Sequence, residues 1–213
     1  MAYTWIDLAA YINEIASKEG AKPNAPFLRL LANQALRIVS RRALVYEMVW
    51  DNSVGGALTL NDAAVALPDD CYAINRVEWG GDDGELPYRS IPWLDQHEPG
   101  WRTAAGEPSY HTRTGRYLLL DAIPSGNVTG KLVIRGRGPL PNFSDAPGAE
   151  NPLEWLPSDY QLLPAEYVLK ELPVDPANPV SLARRADADR RWQEGLTGLV
   201  AAVATREDEA FRF

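Results

Sequence analysis

The sequence predicts an α+β protein. Helix pairs at the N- and C-terminal ends form one helical bundle, and a β-rich insertion, a hairpin or small sandwich-like unit, lies between them. Apolar residues recur at helical spacing at both ends, and short β-rich segments with glycine turns fill the middle. We therefore predict a discontinuous helical domain at 1–45 and 152–213, with a C-terminal tail at 206–213. The insertion domain and its linker occupy 46–151.

Two helices are predicted in the first 45 residues. The first begins after Thr4, because Thr4 and Asp7 have the spacing of a capping box. Gly20 and Pro23 then interrupt the helical pattern. The residues expected on the buried faces are Trp5, Leu8, Tyr11, Ile12 and Ile15 in the first helix and Phe27, Leu30, Leu31, Ala35, Ile38 and Val39 in the second.

From about residue 43 the pattern changes to short β-rich segments. The predicted strands include "ALVYEMVW", "CYAINRVEWGG" and "GKLVIRGRG", and "PWLDQHEPGW" is predicted to form a helical turn. Arg135 and Arg137 share one face of the last strand, so we expect them to pair with acidic residues on a neighbouring strand. Pro, Gly and Asn dominate residues 138–152, which is typical of a linker.

The segment "GEPSYHTRTGRYLLLDAIPSG" contains the residue types of a hydrolase triad, Ser109, His111 and Asp121. A three-residue loop ending at Gly115 predicts a β-hairpin in which His111 lies opposite Tyr117. In that register Asp121 lies about 13 Å from His111. The chain also has no G-x-S-x-G motif. We therefore predict a hairpin without a catalytic role, and no enzymatic activity for the protein.

Two further helices are predicted after the linker. Ser158 is expected to cap the first, in which Pro164 either produces a kink or marks the true start. Ser181 is expected to cap a long final helix that ends near "TRED". Gly195 and Gly198 weaken this helix by about 1 kcal/mol each, so close packing or a partner has to compensate. Its expected buried face is formed by Trp192, Leu196, Leu199, Val200 and Val203.

The composition limits the function classes. The chain has 213 residues, a net charge of −8 and one cysteine, Cys71, which excludes an internal disulfide and fits a reducing compartment. The charge is +2 over residues 1–50, −6 over 51–150 and −4 over 151–213. This distribution lacks the basic stripe of a tight nucleic-acid binder. No apolar segment reaches the roughly 18 residues of a membrane span, and the acidic N-terminal segment does not resemble a signal peptide.

No cofactor or metal site is expected. Asp69 and Asp70 lie beside Cys71 and disfavour a reactive thiolate. The loop "GGDDGE" lacks the alternating ligands and the terminal Glu of a calcium-binding loop. His97 and His111 are too few, and too poorly spaced with acidic residues, for a zinc site. "IRGRGP" is not a phosphate-binding motif.

Basic residues are most concentrated on the final helix, where two interpretations stay open. Asp187 and Asp189 interleave with the arginines, which is typical of a solvated, ion-paired face. The alternative is a subunit or partner interface. The residues assigned to that interface are Arg184, Arg185, Arg190, Arg191 and Trp192.

The motifs as a series resemble the head-to-tail adaptor (connector) proteins of tailed bacteriophages over nearly the whole chain. The segments that carry the resemblance are "LANQALRIVSRRA", "VALPDDCYAINRVEW", "PWLDQHEPGWRTAAGEPSYH", "RYLLLDAIPSG", "GKLVIRGRGPLP" and "LPSDYQLLPAEYVLKEL", followed by a long last helix. The resemblance implies a structural protein of the phage neck, present in the virion and assembled in the host cytoplasm.

The resemblance also implies partners. Copies of the chain, commonly twelve, form a ring beneath the portal protein, and the ring meets the tail, a nozzle or the next neck protein. DNA passes through the channel without specific binding. The candidates for acidic channel residues are Glu14, Glu19, Asp82 and Asp83. The residues expected to dock on the portal are Arg206, Phe211, Arg212 and Phe213.

Two other function classes are compatible with the sequence. One is a small hydrolase or binding module whose site is assembled from distant residues, for which we expect a strict monomer with a deep pocket. The other is a DNA-binding regulator, for which we expect salt-dependent binding to duplex DNA. The charge distribution disfavours the regulator.

Overall fold

The computed structural model describes residues 3–18, 23–80, 84–144, 146 and 149–210. The chain forms two compact units. The helical unit consists of Met1–Tyr46 and Pro139–Phe213, and the β unit consists of Glu47–Gly138. Helices at both ends flank antiparallel sheets in the middle, so the predicted α+β class is confirmed.

The elements of the described residues are as follows. The helices are α1 Trp5–Ser17, α2 Ala25–Ala43, α3 Ile91–His97, α4 Leu163–Glu171 and α5 Pro179–Ala210. The strands are β1 Tyr46–Asp51, β2 Leu60–Asn61, β3 Ala64–Ala66, β4 Ala73–Trp79, β5 His111–Thr114, β6 Tyr117–Leu120 and β7 Leu132–Gly138. Two short 3₁₀ helices, Pro152–Trp155 and Ser158–Tyr160, precede α4.

α1 begins where the sequence predicts. The Thr4 hydroxyl accepts the Asp7 backbone N–H (3.3 Å) and Asp7 Oδ2 accepts the Thr4 backbone N–H (2.8 Å), which confirms the capping box. α2 begins after Asn24. The predicted buried face of α2 is partly wrong, because Phe27 and Leu30 are exposed and other residues face the core. The buried residues of α2 are Leu28, Leu31, Ala32, Ala35, Leu36, Val39, Ser40 and Ala43.

The segment predicted to be a linker contributes to the core of the helical unit. Leu140 and Phe143 are both buried there. The Leu140 backbone N–H donates to Ser40 Oγ (2.8 Å), and the Phe143 backbone N–H donates to Asn33 Oδ1 (2.8 Å). Side chains of α2 thus satisfy buried backbone groups that have no helix or strand of their own. The linker prediction is wrong for this part of residues 138–152.

α4 and α5 begin at residues other than those predicted. Pro164 lies in the first turn of α4, so it marks the start of the helix and does not kink it. Ser158 lies in the preceding 3₁₀ helix and does not cap α4. α5 begins two residues before Ser181, whose hydroxyl donates to the Asn178 carbonyl. α5 also extends beyond "TRED" and ends at Ala210.

Close packing compensates for the two glycines of α5, as predicted. A Cβ at Gly195 would lie 2.8 Å from Leu163 Cδ1, and a Cβ at Gly198 would lie 3.0 Å from the Tyr160 hydroxyl oxygen. The missing side chains therefore allow α4 and the 3₁₀ helix before it to approach α5 closely. The largest fully buried side chains of the helical unit are Leu8, Ile12, Leu28, Leu36, Leu153, Leu169 and Leu199.

The β unit contains two sheets. One has the strand order β1-β7-β4 and the other has the order β2-β3-β6-β5. β4 and β7 pair antiparallel, with a register shift between Ile74 and Arg76. Alternate residues of the strands face a common apolar core. The buried residues of this core are Trp50, Leu58, Val65, Leu67, Val77, Trp79, Leu86, Leu118, Leu120, Leu132 and Ile134.

The β5–β6 hairpin has a different register from the predicted one. Thr114 pairs with Tyr117, and His111 pairs with Leu120 instead of Tyr117. The turn has two residues and begins at Gly115, whose φ of 58° suits a glycine at the first position of such a turn. The predicted three-residue loop is therefore wrong, because Gly115 is the first residue of the turn and not the last.

Candidate functional site

Ser109, His111 and Asp121 do not form a catalytic triad. The Asp121 carboxylate accepts the backbone N–H groups of Ser109 (2.8 Å) and Tyr110 (3.0 Å). His111 Nδ1 lies 2.7 Å from the Leu86 carbonyl and donates to it. Burial lowers the pKa of His111, which favours the neutral ring. The wide predicted separation of Asp121 from His111 rested on the wrong register, but backbone groups hold both side chains away from catalytic roles.

Cys71 and the acidic loop offer no reactive or metal-binding site. Burial is the largest effect on the Cys71 thiol and raises its pKa; Arg113 lowers the pKa and Asp70 raises it. A thiol with a raised pKa is a poor nucleophile. In the described parts of the chain, no group of three or more His, Cys, Asp or Glu side chains could hold a metal. Asp82 and Asp83 lie outside the described residues.

The arginines of β7 pair with acids on both neighbouring strands, as predicted. Arg135 Nε lies 2.9 Å from Glu78 Oε1 on β4, and Arg137 Nη1 lies 2.9 Å from Glu47 Oε1 on β1. Glu78 is buried and also lies 3.1 Å from Arg76 Nε. These ion pairs connect the three strands of the sheet, so the basic residues of "IRGRGP" have a structural role.

A carboxylate network links three helices of the helical unit. Glu166 of α4 accepts a hydrogen bond from the Tyr11 hydroxyl of α1 (3.1 Å) and lies 3.5 Å from Arg191 of α5. Asp187 pairs with both Arg190 (2.6 Å) and Arg191 (2.5 Å). Burial raises the pKa of Glu166, although Arg191 and Tyr11 favour its carboxylate form. Two of the predicted interface arginines thus have partners in their own chain.

The predicted interface group divides into buried and exposed members. Trp192 is only 3% exposed and packs edge-on against Tyr167, with 5.0 Å between the ring centroids. Arg184 is also buried and donates to the Pro173 carbonyl (3.3 Å). Arg185, in contrast, is exposed and lines a pocket of about 490 Å³ on α4 and α5. Of these three, only Arg185 is directly accessible to a partner.

Several large apolar side chains of the helical unit are exposed. Ile6 of α1 is 76% exposed and Leu30 of α2 is 56% exposed. Leu182 of α5 is exposed and lines the same pocket as Arg185. Exposed apolar groups of this kind are candidates for protein contacts. The exposed set is Tyr3, Ile6, Phe27, Leu30, Trp155, Val180, Leu182 and Val200.

An arginine–aromatic cluster in the β unit was not predicted. The Arg89 guanidinium lies 5.0 Å from the Trp93 ring centroid and 5.2 Å from the Tyr110 ring centroid. Trp93 also stacks on His97, with 4.5 Å between the ring centroids. A pocket of about 460 Å³, lined in part by Arg89, lies beside the cluster. The only sequence signal was the abundance of aromatic residues, since folding brings the cluster together from α3 and two loops.

The predicted channel and portal residues are partly outside the described structure. Glu14 is exposed and pairs with Lys18 (3.4 Å). Glu19 lies outside the described residues, and so do residues 211–213, which include Phe211 and Phe213. Arg206 lies in α5, but its side chain is outside the described part. The roles assigned to these residues therefore stay predictions.

Exposed apolar and charged side chains of these kinds are candidates for contacts with other proteins. The SU10 adaptor protein family matches residues 3–212 of the 213 residues. The chain belongs to this family. It is a bacteriophage head-to-tail adaptor family, so the chain is a structural component of the virion and not an enzyme, as predicted. No curated protein matches the chain. No helix in the described residues is long and apolar enough to cross a membrane.

Proposed function

We propose that copies of this SU10-family adaptor form a ring beneath the portal, join the capsid to the tail and continue the DNA channel. The match to an adaptor family over residues 3–212 carries this proposal. Twelve copies are the number that the resemblance to phage connectors implies. The ring assembles in the host cytoplasm, and its other face meets the tail, a nozzle or the next neck protein.

The helical unit supplies the contacts between neighbouring copies. A ring needs two different, complementary surfaces on each copy, because its interfaces are heterologous. The helical unit exposes apolar side chains on α1 and α2, such as Ile6 and Leu30, and on α5, such as Leu182. Arg185 and Arg190 of α5 are also exposed and add polar contacts at the edge of this interface. Arg191 is also exposed, whereas Arg184 and Trp192 are buried.

Ring formation is tested by replacing an apolar contact residue. Leu182→Glu places a charge on the exposed face of α5, so we expect the ring to dissociate while the helices stay folded. Light scattering after size exclusion measures the mass, and circular dichroism measures the helix content. Val54→Glu is the matched control, because Val54 is 94% exposed and lies in the β unit. A wild-type chain that is monomeric even with its portal contradicts the ring.

The C-terminal tail docks on the portal in this proposal. Two phenylalanines flank an arginine at residues 211–213, and such side chains serve as anchors in partner pockets. Truncation after Ala210 removes this tripeptide and leaves the described length of α5 intact. We expect rings that no longer bind the portal, measured by co-sedimentation. Normal portal binding by the truncated chain refutes the docking role, and loss of folding indicates that the tail packs on its own helical unit.

The charge of the chain fits a channel through which DNA slides. The net charge is −8, and acidic side chains at the lumen repel phosphate groups and prevent tight binding. The candidates are Glu14, Glu19, Asp82 and Asp83. A density map of the ring that shows a lumen lined mainly by Lys and Arg contradicts this part of the proposal.

A further inference from the structure

The pocket of about 460 Å³ in the β unit lies where an edge strand and a loop diverge. One wall is the first half of β4, Ile74–Val77. The opposite wall is the segment Leu86–Arg89, together with His111 and Arg113 of β5. Glu85 is the acidic residue among those that line the pocket. The pocket is therefore bounded by strand backbone and by three arginines, including Arg76 of β4.

Two arginines at this pocket differ from the other cations of the β unit in their ion pairing. Residues 47–138 contain eight Lys and Arg residues. Six of them lie within salt-bridge distance of a carboxylate: Arg76, Arg102, Arg116, Lys131, Arg135 and Arg137. Among the described residues, the two without such a carboxylate are Arg89 and Arg113, and both line the pocket. In an acidic unit, two cations that line one pocket and form no salt bridge with a described carboxylate indicate an anionic partner from outside.

The structure also holds the Arg89 guanidinium in place. It lies against the rings of both Trp93 and Tyr110, which contact each other edge-on, and its Nη1 donates to the Tyr88 carbonyl (3.2 Å). Arg113 Nε donates to the Gly115 carbonyl (3.1 Å). A guanidinium has five N–H donors, so each arginine keeps donors for a carboxylate. Holding the donors in place before binding lowers the entropy that binding costs.

The backbone of β4 is suited to an extended ligand. Gly84 and Leu86 already pair with it: the Trp79 N–H donates to the Gly84 carbonyl (2.7 Å), and the Leu86 N–H donates to the Val77 carbonyl (2.8 Å). The chain leaves this edge after Leu86, because Pro87 has no N–H and the Leu86 carbonyl bonds to His111. Asn75 also has no partner residue in the pairing of β4 with β7, because the register shifts between Ile74 and Arg76. The first half of the edge strand β4 can therefore pair with an added segment from another protein.

We propose that this pocket binds an extended, acidic segment of another virion protein. Its carboxylates pair with Arg89 and Arg113, and its backbone lies along Ile74–Arg76 of β4. An acidic protein segment fits better than DNA, because residues 47–138 carry thirteen Asp and Glu against eight Lys and Arg. A surface of that charge repels a phosphate backbone.

The chemistry is tested with the full chain and a dye-labelled Val-Glu-Val-Glu-Val-Glu peptide in fluorescence anisotropy. We expect the Glu peptide to bind and its Gln counterpart to bind at least about tenfold more weakly, because charged partners strengthen the hydrogen bonds of arginine. Arg113→Gln and Arg89→Gln should each weaken binding of the Glu peptide by a similar factor. Arg102→Gln is the matched control, because Arg102 is exposed but paired with Asp95. Equal affinity of both peptides, equal affinity of all variants, or tighter and Arg113-dependent binding of a short DNA duplex overturns the proposal.

The source of the segment is tested in assembled particles. A photo-crosslinking benzoylphenylalanine replaces Tyr88, which is exposed at the pocket. We expect a crosslink to a different virion protein, at a segment with an excess of Asp and Glu. Crosslinks only to DNA, only to copies of this chain or to a basic segment overturn the proposal. The assignment of the segment to a virion protein rests on the proposed adaptor function, but the peptide measurement does not. If the chain binds the Glu peptide but forms no ring, the result counts against the proposed function alone.

Discussion

Among the described residues, the helical unit exposes twice as many large apolar side chains as the β unit, eight against four. The helical unit leaves large apolar groups such as Ile6 and Leu182 on its surface, while its arginines Arg190 and Arg191 pair within the unit. The β unit pairs most of its cations as well, but Arg89 and Arg113 have no carboxylate among the described residues. Apolar surface suits permanent contacts between copies, whereas oriented cations suit recognition of a particular partner.

The two units also differ in how their cores are assembled. The helical core combines Leu8 and Leu36 from the start of the chain with Leu169 from near its end, whereas the β core comes entirely from residues 47–138. Contacts between residues so far apart in sequence form slowly and only after the whole chain is made. The helical unit therefore depends on residues from both termini, and the β unit does not.

The prediction with the largest expected effect tests whether Trp192 belongs to the core of the helical unit or to an interface. Trp192→Ala should lower the free energy of unfolding by about 3–5 kcal/mol, because the buried indole leaves a cavity. Urea denaturation followed by circular dichroism at the helix band measures this loss. Trp155→Ala is the control, because Trp155 is 42% exposed. Loss of the ring without loss of stability in Trp192→Ala instead assigns Trp192 to the interface.

A smaller effect tests how the β unit is packed. Gly136→Ala should lower the free energy of unfolding by about 1–3 kcal/mol. A Cβ at this position collides with the backbone carbonyl of Ala73 on β4, which cannot move without disturbing the sheet. Gly138→Ala on the same strand is the control, because its Cβ meets mainly the flexible Met48 side chain and lies 3.2 Å from the Asp70 carbonyl oxygen, a milder backbone contact than the one at Gly136. Equal stabilities of the two variants contradict the close β4–β7 approach. Hydrogen exchange of β4 and β7 peptides provides the measurement.

The smallest expected effect is a pH dependence of the free energy of unfolding that has opposite signs in the two units. Burial lowers the pKa of His111 below 6.5, so the unfolded chain binds its proton first and the β unit loses stability as the pH falls below about 6.5. Burial raises the pKa of Glu166 above 4.5, so the folded helical unit binds its proton first and gains stability as the pH falls towards 4.5. The groups with lowered pKa values, Asp7 and Asp187 among them, titrate below 3.8 and act outside this range.

Hydrogen exchange at several pH values between 5 and 7 measures each unit separately. His111→Gln should flatten the pH dependence in β-unit peptides, and Glu166→Gln should flatten it in helical-unit peptides. Each variant serves as the control for the other unit. Slopes of the same sign in both units contradict burial as the dominant cause of the two pKa shifts.

Local sequence signals predicted much of the fold. The capping box of Thr4 and Asp7 and the α3 helix at Ile91–His97 are confirmed. The pairing of Arg135 with a neighbouring acid follows from strand alternation alone. At Gly195 the sequence predicted that close packing or a partner compensates for the glycine, and the structure shows close packing against Leu163. The cap and the α3 helix depend on residues within a few positions, whereas for Arg135 and Gly195 the sequence predicted only the need for a contact and not the distant residue, Glu78 or Leu163, that supplies it.

The burial of the linker segment and the Arg89 cluster were not predicted, and both depend on residues distant in the sequence. The burial of Phe143 requires α2, which lies more than 100 positions earlier, so its loop composition alone suggested a linker. The Arg89 cluster joins residues from α3 and from the segment before β5 and has no sequence motif. Contacts of this kind leave no periodic pattern in the sequence.

The α+β class, the cap of α1 and the resemblance to phage adaptors could be read from the sequence alone, because they follow from short-range hydrogen bonds, periodic burial and the order of motifs. Only the tertiary structure decided the register of the β5–β6 hairpin, where His111 pairs with Leu120. A shift of one residue would turn every side chain of a strand to the opposite face, so the packing of the β core selects the register together with the two-residue turn that begins at Gly115.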